Sequence, residues 1–163
     1  MTEGPTKSEI LLARTAVALL IGFAVLEVLW FGLSTHELER LWRNILARPG
    51  GPMIFRFVLQ PTMATVAALR DGAADALGKR TPYLTAILFG SELRGARLWE
   101  GVISTARILI LGIVMDIVYQ LVFLDSFHPA ETAAIAILLA FLPYALLRGP
   151  AARLAQLWMD RAN

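Results

Sequence analysis

The sequence predicts an all-α, polytopic integral membrane helix bundle, and three observations carry that prediction. Hydrophobic residues make up 57% of the 163 residues, and mean hydropathy is +0.62, against an apolar share of roughly 45–50% in soluble domains. Four apolar runs, at residues 15–33, 51–69, 102–124 and 132–147, approach the roughly 17–25 residues with which a helix crosses a bilayer. Two further stretches, 36–48 and 150–160, set apolar residues at helical spacing against charges, as amphipathic helices lying in the headgroup plane do. The chain reads as a single membrane domain.

The first run is broken only by Glu27, and it is longer than the 7–15-residue apolar core of a secretory signal, so it reads as a retained anchor. In 36–48, Leu38, Leu41, Trp42, Ile45 and Leu46 alternate at helical spacing with Glu37, Glu39, Arg40, Arg43 and Arg48. The second run carries Arg56, Gln60 and Pro61 among its apolar residues, and Pro61 predicts a helix kink. Residues 70–100 read as a cytoplasmic or re-entrant loop, because the apolar piece from Tyr83 to Phe89 is too short to span and Gly78 before Lys79 and Arg80 is a helix stop. The third run contains Arg107, Asp116 and Gln120, and the fourth contains a second kink candidate, Pro143. In 150–160 the apolar face is Leu154, Leu157 and Trp158.

Composition narrows the function classes. The chain has no cysteine, which removes disulfides, thiolate zinc sites and cysteine nucleophiles. The isoelectric point is near 9.4, but Lys and Arg flank apolar runs instead of forming a basic stripe, so the expected partners are membrane lipids and no nucleic acid. No phosphate-binding loop, nucleophile elbow or paired-histidine metal motif occurs, so neither a cofactor nor an enzymatic activity is expected. Asp125, His128 and Glu131 gather in one outer loop and are weak candidates for a divalent ion, against the simpler reading of a solvated turn around Pro129. The abundance of Arg over Lys points to a bacterial chain.

Positive charge in the short loops places residues 70–97 and the C-terminus in the cytoplasm, since residues 125–131 contain neither Lys nor Arg. Four spans then put Arg40, Arg43 and Arg48 outside, against that rule. A three-span arrangement, with 51–69 at the interface, avoids this. Depth favours four spans: at about 1.5 Å per residue, Glu27, Arg56, Gln60, Asp116 and Gln120 share one layer roughly 7–14 Å below the outer boundary. Arg56 and Gln60 share a helix face, as do Asp116 and Gln120, so Arg56 is expected to meet Asp116, with Glu27 supplied by the first span. Trp30, Trp99, Tyr119 and Tyr144 sit near span ends, as an aromatic belt does. Ala18 with Gly22, Ala64 with Ala68, and Ala136 with Ala140 offer small residues for close helix approach.

The functional expectation is a small bacterial inner-membrane protein acting as a non-enzymatic accessory or interaction subunit, as a homo-oligomer or beside a larger membrane partner. The alternative is a proton- or cation-coupled transporter or channel protomer using the Glu27, Arg56 and Asp116 cluster. An interfacial lipid-modifying enzyme comes third.

Overall fold

The computed structural model describes residues 4–32, 34–90 and 93–162, without the side chains of Glu37 and Ala162. Among these residues every regular element is helical. Helix α1 runs from Lys7 to Phe31, earlier at its start than residue 15. Thr6 caps it by accepting from the Glu9 N–H at 3.3 Å while Glu9 accepts from the Thr6 N–H at 2.9 Å, a reciprocal pair that satisfies two free amides. Gly32, at φ +76°, ends it; the predicted limit at Leu33 lies outside the described residues. The amphipathic stretch is α2, Thr35–Ala47, closed by a tight turn at Arg48–Gly50.

The second apolar run is displaced from its expected position. Helix α3 spans Arg56–Leu77 instead of 51–69, with turns over residues 51–55. Gly50, Gly51 and Pro52 resist helix, and Met53 takes φ +62°; at the other end Ala73, Ala74 and Ala76 prolong the helix to Gly78. The helix continues through Pro61. The expected loop 70–100 therefore contains the last turns of α3, the short α4 (Tyr83–Phe89) and the start of α5 (Arg94–Phe123).

The runs at 132–147 and 150–160 are one helical column: α6 (Pro129–Ala136), a wide π turn (Ile137–Phe141) and α7 (Leu142–Ala162). The wide turn has a local cause. Pro143 lacks an N–H and its ring crowds the carbonyl of Leu139, and just before it the Leu142 N–H bonds back to Ile137 O. The kink expected at Pro143 is thus absorbed one turn earlier. No break separates span from tail, because Arg148, Ala151 and Ala152 are buried beyond the predicted end of the span.

Three helical segments are long and apolar enough to cross a membrane, Lys7–Phe31, Arg94–Phe123 and Pro129–Arg161, and the protein is a multi-pass membrane protein. The expected count was four. Helix α3, at 22 residues, falls short on composition and not on length, since it carries Arg56, Gln60, Arg70, Asp71 and Asp75. It is nonetheless a full member of the bundle. It runs beside and parallel to α7, antiparallel to α1 and α5, as its contacts at both ends require.

The bundle centre is built from small and branched residues: Ala16, Ala64, Ala68, Ile108, Leu109, Ile113, Ala136 and Ala140. Of the predicted close-approach pairs, Ala64 with Ala68 and Ala136 with Ala140 are buried here. Ala18 is exposed, and Gly22 has no neighbour that an added Cβ would touch. Gly72 makes the tightest backbone approach between α3 and α7, where a Cβ would stand 2.7 Å from Ala151 Cβ and 2.8 Å from Arg148 O.

Candidate functional site

At one end of the bundle, α1, α2, α3, α5 and α6 converge on a layer of buried charge. Asp116 of α5 is fully enclosed and accepts from Arg56 Nη1 at 2.8 Å and from Arg48 Nη1 through the same Oδ1. Its other oxygen accepts from Gln120 Nε2 at 2.8 Å and Thr132 Oγ1 at 2.9 Å. Glu131, equally enclosed, accepts from Arg48 Nη2 at 2.6 Å, Arg40 Nη1 at 2.9 Å and Asn44 Nδ2 at 2.7 Å. Arg40 also donates to Glu27 at 2.9 Å, and Glu27 accepts from the Ala130 N–H at 3.1 Å. Among the described residues, three carboxylates and three guanidiniums therefore join in one hydrogen-bonded network. Such pairing offsets much of the several kcal/mol that each buried ion costs.

The expected meeting of Arg56 with Asp116 is present. Gln120 joins the layer and also accepts from the His128 N–H at 2.7 Å, which fixes the turn before α6. Glu27 belongs to the layer but answers to Arg40, not to Arg56. Gln60 stands apart: its amide donor faces Met115 Sδ at 3.8 Å, and its oxygen lies over Gly112. Arg40, Arg48, Asn44 and Glu131 went unrecognised as partners. The signal for three of them is the spacing of Arg40, Asn44 and Arg48, which puts a polar row on one face of α2 and its closing turn, while Arg43 points outward.

Two further expectations change. Tyr119 is not a belt residue: its buried ring stacks against the guanidiniums of Arg48 and Arg56, each 4.8 Å from the ring centre, a cation–π arrangement worth most when desolvated. The loop trio does not form one cluster. Asp125 is exposed, His128 is buried against Phe31 at 4.6 Å, and Glu131 is taken up by arginines. Among the described residues no group of three His, Cys, Asp or Glu side chains could hold a metal ion.

A second layer, not anticipated, closes the opposite end. Asp75 of α3 accepts from Arg148 Nε at 2.8 Å and Nη2 at 3.0 Å, and from Arg97 Nη1 at 3.0 Å. Arg97 also donates to Glu100 at 2.9 Å and to Thr81 O at 2.8 Å. Tyr144 donates to Asp71 at 2.7 Å and accepts from Arg148 Nη1 at 2.7 Å, so it too is interior and not part of a belt. Tyr83 lies under the Arg148 guanidinium at 4.6 Å. Burial, working against the nearby Arg148 and Arg97, pushes its hydroxyl pKa up to about 12, which keeps it neutral.

On three helices the two layers are 16 to 19 residues apart: Arg56 to Asp75, Glu100 to Asp116, and Glu131 to Arg148. At about 1.5 Å per residue this is roughly 24–29 Å, close to the roughly 30 Å thickness of the hydrocarbon slab. The charges thus bracket the apolar core and do not sit at its middle.

Asp75 also makes the fold sensitive to acid in a definite direction. Burial acts to raise its pKa, but the hydrogen bonds from Arg148 and Arg97 outweigh that and hold it below the ordinary value of 3.8. A carboxylate with a depressed folded-state pKa stabilises the fold above its unfolded pKa and loses that contribution as pH falls through the folded value. Thermal unfolding in detergent micelles is therefore expected to show this contribution intact above about pH 5 and declining progressively as pH falls below about 4. Asp75→Asn should flatten that part of the acid slope; an unchanged slope would assign it to other groups.

Fold and layers together define an all-α multi-pass membrane protein with an Arg–carboxylate network at each end of its bundle. No protein family, no curated protein and no solved structure matches the chain.

Proposed function

We propose that the protein is a non-enzymatic accessory or interaction subunit of a bacterial inner membrane, working as a homo-oligomer or beside a larger membrane partner. The observation that carries this reading is the charge balance of the first layer: Glu27, Asp116 and Glu131 are each held by at least one of Arg40, Arg48 and Arg56. Among the described residues, a layer so matched has no carboxylate standing apart from a guanidinium, and it acts as a clamp that sets helix register. The rigid bundle displays two apolar edges, Leu38, Trp42 and Leu46 on α2 and Leu154, Leu157 and Trp158 on α7, all at least half exposed, for contact with lipid or a partner. With α3 as a fourth crossing, both termini and the Arg-rich residues 70–97 lie in the cytoplasm.

Purification in mild detergent with prior crosslinking in the native membrane tests this. The expected result is a defined oligomer or a stoichiometric membrane partner, lost on Trp42→Ala or Trp158→Ala without loss of helicity. A strictly monomeric protein with no crosslinked partner would refute it.

One observation favours a second reading, a proton-handling site. His128 Nδ1 lies 3.6 Å from Glu27 Oε1 at the rim of the layer, which sets an imidazole beside a carboxylate. Proton flux into proteoliposomes separates the two readings: the clamp predicts none above empty liposomes, and flux abolished by Glu27→Gln would establish the site.

A further inference from the structure

Helices α1 and α3 both pack on α5 without forming an interface with each other. Between them lies a cleft of about 920 Å³, with Leu12 on one wall, Met63 and Val66 on the other, and Ile103 on the α5 floor. That volume is at the large end of the roughly 300–1,000 Å³ typical of ligand sites. The apolar part runs onto faces already directed outward from the bundle, Val66 being 62% exposed. In a bilayer such a surface meets acyl chains.

The polar mouth is at the second-layer end. Arg70 of α3 and Arg107 of α5 line it with side chains 76% and 73% exposed. Each guanidinium has one acidic neighbour, Arg70 Nε donating to Asp71 Oδ1 at 3.3 Å and Arg107 facing Glu9, in exposed pairs that hold weakly. Asp71 accepts from Ser104 at 2.5 Å and Tyr144 at 2.7 Å, and Glu9 accepts from the Thr6 N–H at 2.9 Å and stands 4.0 Å from Arg107. Deeper in the mouth, Asp75 and Glu100 are taken by Arg97 and Arg148. The deep carboxylates Asp75 and Glu100 are thus neutralised from within, while Arg70 and Arg107, each held by one exposed pair, turn most of their surface outward where long basic side chains reach for headgroups. Basic pockets between helices on the cytoplasmic side are suited to anionic headgroups, and guanidinium geometry suits phosphate.

We propose that the α1–α3–α5 cleft binds an anionic phospholipid, with Arg70 and Arg107 on its headgroup and an acyl chain along Leu12, Met63 and Val66. The site rests on the cytoplasmic placement of this end proposed above and is independent of the subunit reading. It gives the gap between α1 and α3 an occupant that completes the helix packing.

The test is native mass spectrometry of the full-length protein in detergent, titrated with phosphatidylglycerol or phosphatidylcholine. Two cationic contacts at a membrane surface are expected to give a preference of about tenfold or more for the anionic lipid. Arg70→Gln with Arg107→Gln should remove that preference while leaving phosphatidylcholine binding unchanged, and Val66→Trp, which fills the apolar part, should weaken both lipids. Arg153→Gln, exposed on α7 outside the cleft, should change neither. Equal binding of the two lipids, an equal loss with Arg153→Gln, or displacement of the lipid by millimolar inorganic phosphate would overturn the proposal, the last by showing a free-phosphate site.

Discussion

Asp116→Ala is expected to lower stability by about 3–5 kcal/mol, the range for breaking a buried ion pair by removing one partner. Asp116 is the carboxylate that accepts from both Arg48 and Arg56, and its removal strands Arg56 and leaves Arg48 with Glu131 alone, in a site with almost no solvent contact. Helix α3 is then expected to loosen at its N-terminal end, because Arg56 is its charged link to α5. Denaturant titration in mixed micelles, followed by circular dichroism, measures the loss. Arg107→Ala, at an exposed position, is the control, with an expected change within about 0.5 kcal/mol.

Gly72→Leu is the second large effect. An added Cβ already falls 2.7 Å from Ala151 Cβ, 2.8 Å from Arg148 O and 2.9 Å from Ala152 N, and two of these are backbone atoms that yield only if α3 and α7 separate. Overpacking a tight interface costs roughly 1–3 kcal/mol and occasionally more, and Gly72→Leu is expected at or above the upper end. Separation would also draw Arg148 from Asp75, so the loss should exceed that of Gly72→Ala. Gly22→Leu, where nothing lies within 4 Å of the added carbon, should be neutral or slightly stabilising, as helix propensity favours Leu over Gly.

What was legible in the sequence follows from which forces act locally. Hydropathy and periodicity located α1, α2 and α5 because apolar runs and helical spacing are properties of contiguous residues. The pairing of Arg56 with Asp116 was legible because both interrupt apolar runs, where a charge demands a partner. The positions of Arg40, Arg48 and Glu131 gave no such demand. They lie beside span ends, where charge is normal, and only the fold of α2 back across the bundle makes them interior. The second layer was hidden for the same reason. Asp75, Arg97 and Arg148 are 22 to 73 residues apart and each resembles a topology signal until three helix ends are brought together. Tyr119 and Tyr144 misled similarly, since a tyrosine at a span end has the same sequence signature whether it meets headgroups or stacks beneath an arginine. The start of α3 was misplaced because hydropathy averages over Gly51 and Pro52, whereas backbone geometry does not.

A double-mutant cycle of Arg56→Met and Asp116→Asn, read as unfolding free energy in micelles, is the most direct test that the layer is a structural clamp. Asp116→Asn leaves Arg56 without a carboxylate, Arg56→Met leaves Asp116 with Arg48 as its guanidinium, and the two together remove the mismatch in part. The double variant is therefore expected to lose less than the sum of the single losses, with a coupling of about 1–3 kcal/mol. Losses that simply add, within about 0.5 kcal/mol, would show that the contact between Arg56 and Asp116 does not hold the bundle together.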